Sequence, residues 1–175
     1  MLLTEIFGFT LSALTVWGFL MALLINVLVH FTTNSNTKTN IFVSLVMFVS
    51  YFVADDAASL SESSTIYLNW GLYDLATVIL IATGLKLIKL ESSVAPVYVV
   101  CGLILNSLLY FSMYYDVVLQ KNSTPWILWD LYTMGGTIVD LSMVAVLILN
   151  RDFLKLKSAT DKLFKKSTVE LPSLK

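Results

Sequence analysis

One histidine, one cysteine and three prolines in 175 residues leave several kinds of chemistry without their reagents. A single cysteine, Cys101, excludes an intramolecular disulfide and any cysteine metal cluster. A single histidine, His30, excludes a metal-binding histidine pair and bis-histidine haem within one chain. No phosphate-cradling glycine loop, dinucleotide-binding glycine pattern or GxSxG elbow occurs. Charge is scarce as well. Only 13% of the residues are Asp, Glu, Lys or Arg, about half of what a soluble domain uses to cover its surface. The net charge of −1 selects no polyanionic partner, and no direct nucleic-acid binding is expected.

The remainder is apolar. The chain is 57% hydrophobic, with a mean hydropathy of +0.80, and the apolar residues fall in five long runs. Spans are expected over roughly 6–31, 41–58, 66–85, 94–116 and 126–149. The expected fold is all-α: a polytopic integral membrane protein with a bundle of five transmembrane helices over residues 1–150. Residues 151–175 form a short basic, amphipathic tail. The first run has no basic start and no small-residue cleavage site, so it reads as a retained span rather than a signal peptide. Thr124-Pro125 reads as the cap and first residue of the fifth span.

The basic residues are distributed unevenly. Lys38, Lys86 and Lys89 lie in alternate connections, and Arg151, Lys155, Lys157, Lys162, Lys165, Lys166 and Lys175 lie in the tail, leaving Lys121 alone on the other side. The positive-inside rule then places the amino terminus outside and the tail in the cytoplasm, in a bacterial inner membrane. Asp55, Asp56, Glu62 and Asp116 fall on the outer side, where a solvated rim is expected.

Polar residues recur on one face of each run. In the first, Gly8, Ser12, Thr15 and Asn26 make a small and polar stripe suited to close helix packing. In the second, Ser44, Met47, Tyr51 and Asp55 share a face. In the third, Tyr73 and Thr77 stack with Asp74 at the edge of their arc, and in the fourth Asn106, Tyr110 and Met113 align. The fifth run is the most informative. Asp130, Thr133, Thr137 and Asp140 fall within an arc of about 80° at 100° per residue. Gly135-Gly136 sits between them and reads as a close-packing point, with a bend as the lesser possibility. Asp140 is deepest, and no Lys or Arg lies in any span core to pair with it. It is expected to act as a neutral, hydrogen-bonded structural acid, with proton or cation handling the rival role. Asp130 and Asp140 are separated by about 15 Å along a helix, too far for a catalytic dyad.

In the tail, Phe153, Leu156, Leu163 and Phe164 cluster on one face opposite the lysines, a docking surface for anionic lipid or for a cytoplasmic protein. The residues present favour a non-enzymatic, homo-oligomeric membrane subunit: a sensor, effector or immunity- or defence-type protein working with a partner. The alternative is a small proton- or cation-conducting channel or carrier using the intramembrane aspartates. An intramembrane lipid-modifying enzyme is a third reading. No cofactor and no metal is expected.

Overall fold

The computed structural model describes residues 2–33, 37–58, 65–90 and 93–161, and these contain helices and no strand. α1 covers Leu2–Thr33, α2 covers Lys38–Ala58 and α3 covers Ile66–Leu87. α4 covers Val94–Met113 and runs on as a π-helical segment, Tyr114–Leu119. α5 covers Ile127–Leu149 in three pieces: α-helical Ile127–Asp130, π-helical Leu131–Gly135 and α-helical Gly136–Leu149. Each helix packs against the next, and α5 closes the ring against α1.

The all-helical expectation holds, with a correction to the count. Among the described residues four helices, not five, are long and apolar enough to cross a membrane: Ala13–Thr32, Ile66–Leu87, Val94–Leu119 and Ile127–Leu149. α2 falls short because its apolar part runs only over Lys38–Ala54, between a lysine and the Asp55-Asp56 pair.

The helices are apolar on both sides. On α1, Thr15, Phe19, Ala22 and Asn26 are buried at helical spacing, while Leu14, Trp17, Met21, Leu24 and Leu28 are exposed on the opposite face. A helix with no polar face cannot be a half-solvated surface helix of a water-soluble domain. The polar side chains turn inward instead and tie helices together. Asn26 Nδ2 donates to the Leu147 carbonyl at 3.0 Å, joining α1 to α5. Ser107 Oγ donates to the Gly71 carbonyl at 3.2 Å, and the Ser50 and Thr77 hydroxyls share a 2.5 Å bond between α2 and α3.

Small residues set the closest approaches. A Cβ on Gly71 would meet the Phe111 ring, one on Gly84 the Phe42 ring, and one on Gly102 the Met143 side chain. Glycine at these positions allows α3 to sit against α4 and α2, and α4 against α5. The half of the bundle nearer the α3–α4 connection is filled by Phe19, Val43, Met47, Ile81, Val99, Leu103, Met143 and Leu147, all essentially inaccessible.

Helix ends depart from the sequence expectation at α5. Thr124 does not cap it; its N–H and Oγ1 donate to Asn122 Oδ1, at 2.9 and 2.6 Å, and the helix starts after an extended Trp126. α5 stops where Asn150 enters the left-handed region at φ 48°, a conformation that asparagine tolerates better than most residues. That turn breaks the chain before the tail. Phe153 and Leu154 form a turn, Lys155 is again left-handed at φ 55°, and a short helix over 156–161 follows. The tail helix therefore begins three residues later than the amphipathic pattern predicts.

Candidate functional site

The half of the bundle nearer the α2–α3 and α4–α5 connections is not filled. A cavity of about 420 Å³ opens among all five helices. α1 contributes Thr15 and Val16, and α2 contributes Ser50, Tyr51 and Ala54. α3 contributes Trp70, Tyr73 and Asp74, and α4 contributes Asn106, Leu109 and Tyr110. α5 contributes Tyr132, Thr133, Gly136, Thr137 and Asp140. Two carboxylates, five aromatic rings and no lysine or arginine line one space.

Asp140 is held from two helices. Tyr51 Oη donates to its Oδ1 at 2.7 Å, and Asn106 Nδ2 donates to the same oxygen at 2.7 Å. Tyr51 is itself pinned against Phe19, ring centroids 4.7 Å apart. Asp74 differs: it is buried, and its Oδ2 has no hydrogen-bond partner among the described residues. The Asn106 Oδ1, also buried, is likewise without a partner. A buried polar atom left unpaired costs on the order of 1–3 kcal/mol, so these two acceptors are notable in a well-packed bundle.

The wall above the carboxylates is aromatic. Trp70 and Tyr110 lie 5.5 Å apart, Tyr110 and Tyr132 5.8 Å, and Tyr67 and Tyr132 5.7 Å, in tilted and edge-to-face arrangements. Such pairs bring positive ring edges to negative ring faces and hold the cluster in shape.

The π segment Leu131–Gly135 explains which part of the predicted stripe reaches the cavity. A π turn bonds i to i+5, so each residue advances less around the axis than in an α-helix. Asp130, just before this segment, is exposed and lines no part of the cavity, whereas Thr133, Thr137 and Asp140 do. The 100° extrapolation from Asp130 therefore fails by one π segment. Gly135-Gly136 marks the return to α-helix. Within the single chain these glycines are not a helix contact: a Cβ on Gly136 would meet nothing within 4 Å, and one on Gly135 would make only ordinary contact with Leu109 and Leu131.

Of the other expected residues, Asp74 and Tyr73 line the cavity. Thr77 is buried just beside it, donating to the Tyr73 carbonyl at 2.8 Å. Thr15, expected as a packing residue, lines the cavity, and Asn26 is buried and bonded to the Leu147 carbonyl of α5. The side chains of Gly8, Ser12, Asp55 and Asp56 lie outside the described residues, as do Glu62, Leu163 and Phe164. Phe153 is exposed, and Leu156 packs against the core. Tyr51, Trp70, Asn106, Tyr110 and Tyr132 were not singled out as site residues. The signal was present for two helices, in the Ser44–Met47–Tyr51 and Asn106–Tyr110–Met113 faces, but nothing in one sequence says that separate faces meet.

Asp116 corrects the outer-rim expectation. It is buried, and its Oδ2 accepts from Trp126 Nε1 and Trp129 Nε1, both at 3.0 Å. Asn122 Nδ2 donates to its Oδ1 at 3.1 Å, so one carboxylate fastens the α4–α5 connection across the cavity end of the bundle.

Among the described residues no three histidine, cysteine, aspartate or glutamate side chains come together as metal ligands. Compared with protein-family models, curated proteins and solved structures, the chain matches none.

Proposed function

We propose that the chain is a five-span membrane protein that takes a small cation, a proton or a positively charged solute, into the Asp74–Asp140 cavity. The observation that carries this reading is the pairing of two carboxylates in one cavity whose wall holds no basic residue. Their charges would repel each other, and an ionised carboxylate in a low-dielectric interior needs compensation. The cavity occupies one half of the bundle. Beyond Asp140 lies the packed layer of Met47, Leu103, Met143 and Leu147, so a carrier or sensor fits better than an open channel.

The proposed topology counts α2 as a fifth crossing. Its apolar part is about 17 residues, at the lower limit for a span, and it completes the ring between α1 and α3. The basic asymmetry supports an external cavity mouth and a cytoplasmic tail in a bacterial inner membrane. This reading is preferred to the partner-dependent subunit because it rests on the lining of the cavity.

A flux assay in liposomes tests it. Proton or monovalent cation uptake under an imposed potential is expected for the wild type and lost in Asp74→Asn and Asp140→Asn. Both variants are expected to melt as cooperatively as the wild type. In this proposal Asp140 takes the rival role over the structural one, because it shares its cavity with Asp74, whose Oδ2 is buried without a partner among the described residues. Unchanged flux in both well-folded variants removes the proposal.

A further inference from the structure

We infer that the cavity's ligand is a protonated amine on an aromatic or aliphatic body, held by its N–H groups rather than by charge alone. The inference rests on the reading that the Asp74–Asp140 cavity takes up a cation, and it adds which cation. Three features of the wall converge on this class.

The first is the sign of the unpaired atoms. Asp74 and Asn106 line the cavity; Asp74 Oδ2 and Asn106 Oδ1 are buried within its wall and lack partners among the described residues, and an ionised Asp74 and the Asn106 amide oxygen are both acceptors. Asn106 Nδ2 donates to Asp140 Oδ1 at 2.7 Å, which leaves its oxygen over. Several donors nearby are already committed. Tyr51 Oη gives its proton to Asp140, Thr137 Oγ1 to the Thr133 carbonyl at 2.9 Å, and Thr133 Oγ1 to the Trp129 carbonyl. A ligand that satisfies this wall brings N–H donors and a positive charge.

The second feature is the aromatic wall. Trp70, Tyr73, Tyr110 and Tyr132 line the same cavity as the carboxylates. Aromatic faces attract organic cations and stack on apolar bodies, and both effects strengthen away from water. The third is size. A space of about 420 Å³ is in the range of small-molecule sites and far larger than a bare ion. A primary ammonium group contributes three donors, enough for both orphaned acceptors and one cation–π contact.

The test is titration calorimetry of the full chain in lipid nanodiscs with three probes: 2-phenylethylamine, its N,N,N-trimethyl counterpart and neutral 2-phenylethanol. Saturable binding of 2-phenylethylamine is expected. The trimethyl compound keeps the charge and loses every N–H, so its affinity is expected to fall about tenfold or more. The alcohol partitions into the bilayer without a saturable site. Asp74→Asn is expected to lower amine affinity about tenfold or more, while Asp130→Asn, outside the cavity, leaves it unchanged. Equal binding of amine and trimethyl compound, equal binding of amine and alcohol, or no amine binding each overturns the inference on the wild type alone. Aspartate-dependent flux of protons without amine binding would leave the cation reading standing and remove this one. Amine binding without any flux would do the opposite, leaving a receptor site in place of a carrier.

Discussion

Four aspartates in this fold have four different surroundings, and their roles separate accordingly. Asp116 receives two indole N–H groups and an amide, and serves as a fastener. Asp152 fastens the opposite end. It accepts from Tyr98 Oη at 2.7 Å, and from the Ser158 hydroxyl and N–H at 3.0 and 3.1 Å, so it ties the tail to α4 and caps the short helix after it. Desolvation opposes ionisation at Asp152, but the bonds from Tyr98, Ser158 and the Lys157 amide outweigh it and hold the carboxyl below its ordinary range. A depressed folded value means a stabilising contribution that is complete above about pH 4 and fades as pH falls through the folded value. Thermal unfolding in detergent should therefore show Asp152→Asn less stable than wild type near neutrality. That gap should shrink as the pH is lowered below about 4 and Asp152 takes up its proton. A constant gap across the range would mean that the charge on Asp152 is not what the tail contact uses. Asp140 is half satisfied and Asp74 is left with an unpaired oxygen, which is why function is assigned to that pair and not to the fasteners.

At the level of the helix, the informative departures are the π segments and the glycines. Apolar run lengths made the helices legible, because a membrane-type helix needs only length and hydropathy to be seen. Face assignments were legible wherever a helix stayed α-helical: Ser44, Met47, Asn106 and Met113 are all buried as their spacing predicts. They failed across Leu131–Gly135, since residue spacing contains no mark of an i-to-i+5 turn and Asp130 was carried onto the wrong face. The glycines show the same limit. Gly135-Gly136 reads as a packing motif, yet the crowded positions are the isolated Gly18, Gly71, Gly84 and Gly102, whose neighbours come from other helices. A matched pair of alanine substitutions checks this. Gly102→Ala must displace Met143 and press on Val139, and is expected to cost about 1–3 kcal/mol of stability. Gly136→Ala meets open space and gains helix propensity, so stability is expected to hold or rise by up to about 1 kcal/mol. Its methyl group would intrude on the cavity, so ligand affinity or flux should change while the melting temperature does not fall. Equal destabilisation in both variants would contradict the placement of Gly136 on the cavity wall.

For the whole molecule, the decisive quantity is how many helices cross. The cavity needs all five helices packed together, because Ser50, Tyr51 and Ala54 of α2 complete its wall and Tyr51 donates to Asp140. In the proposed five-crossing topology, Lys38, Lys86, Lys89 and the tail share one side, and Lys121 faces the other. α2 is the weak point, since its apolar part is bounded by Lys38 and Ala54 and is the shortest of the five. Single cysteines in a Cys101→Ser background resolve the matter, probed with a membrane-impermeant thiol reagent on intact cells. Ser61→Cys and Ser123→Cys are expected to label, whereas Thr32→Cys and Ile88→Cys are expected to be shielded. The two ways of failing differ. If α2 lies against the bundle without crossing, the tail and α3 to α5 keep their orientation, and only α1 reverses. Thr32→Cys would then label alongside Ser61→Cys while Ile88→Cys stayed shielded, and the amino terminus would move to the cytoplasm. If the basic residues do not set the orientation at all, Ile88→Cys labels and Ser123→Cys does not. The cavity mouth would then open to the cytoplasm, and any cation it takes would come from inside the cell.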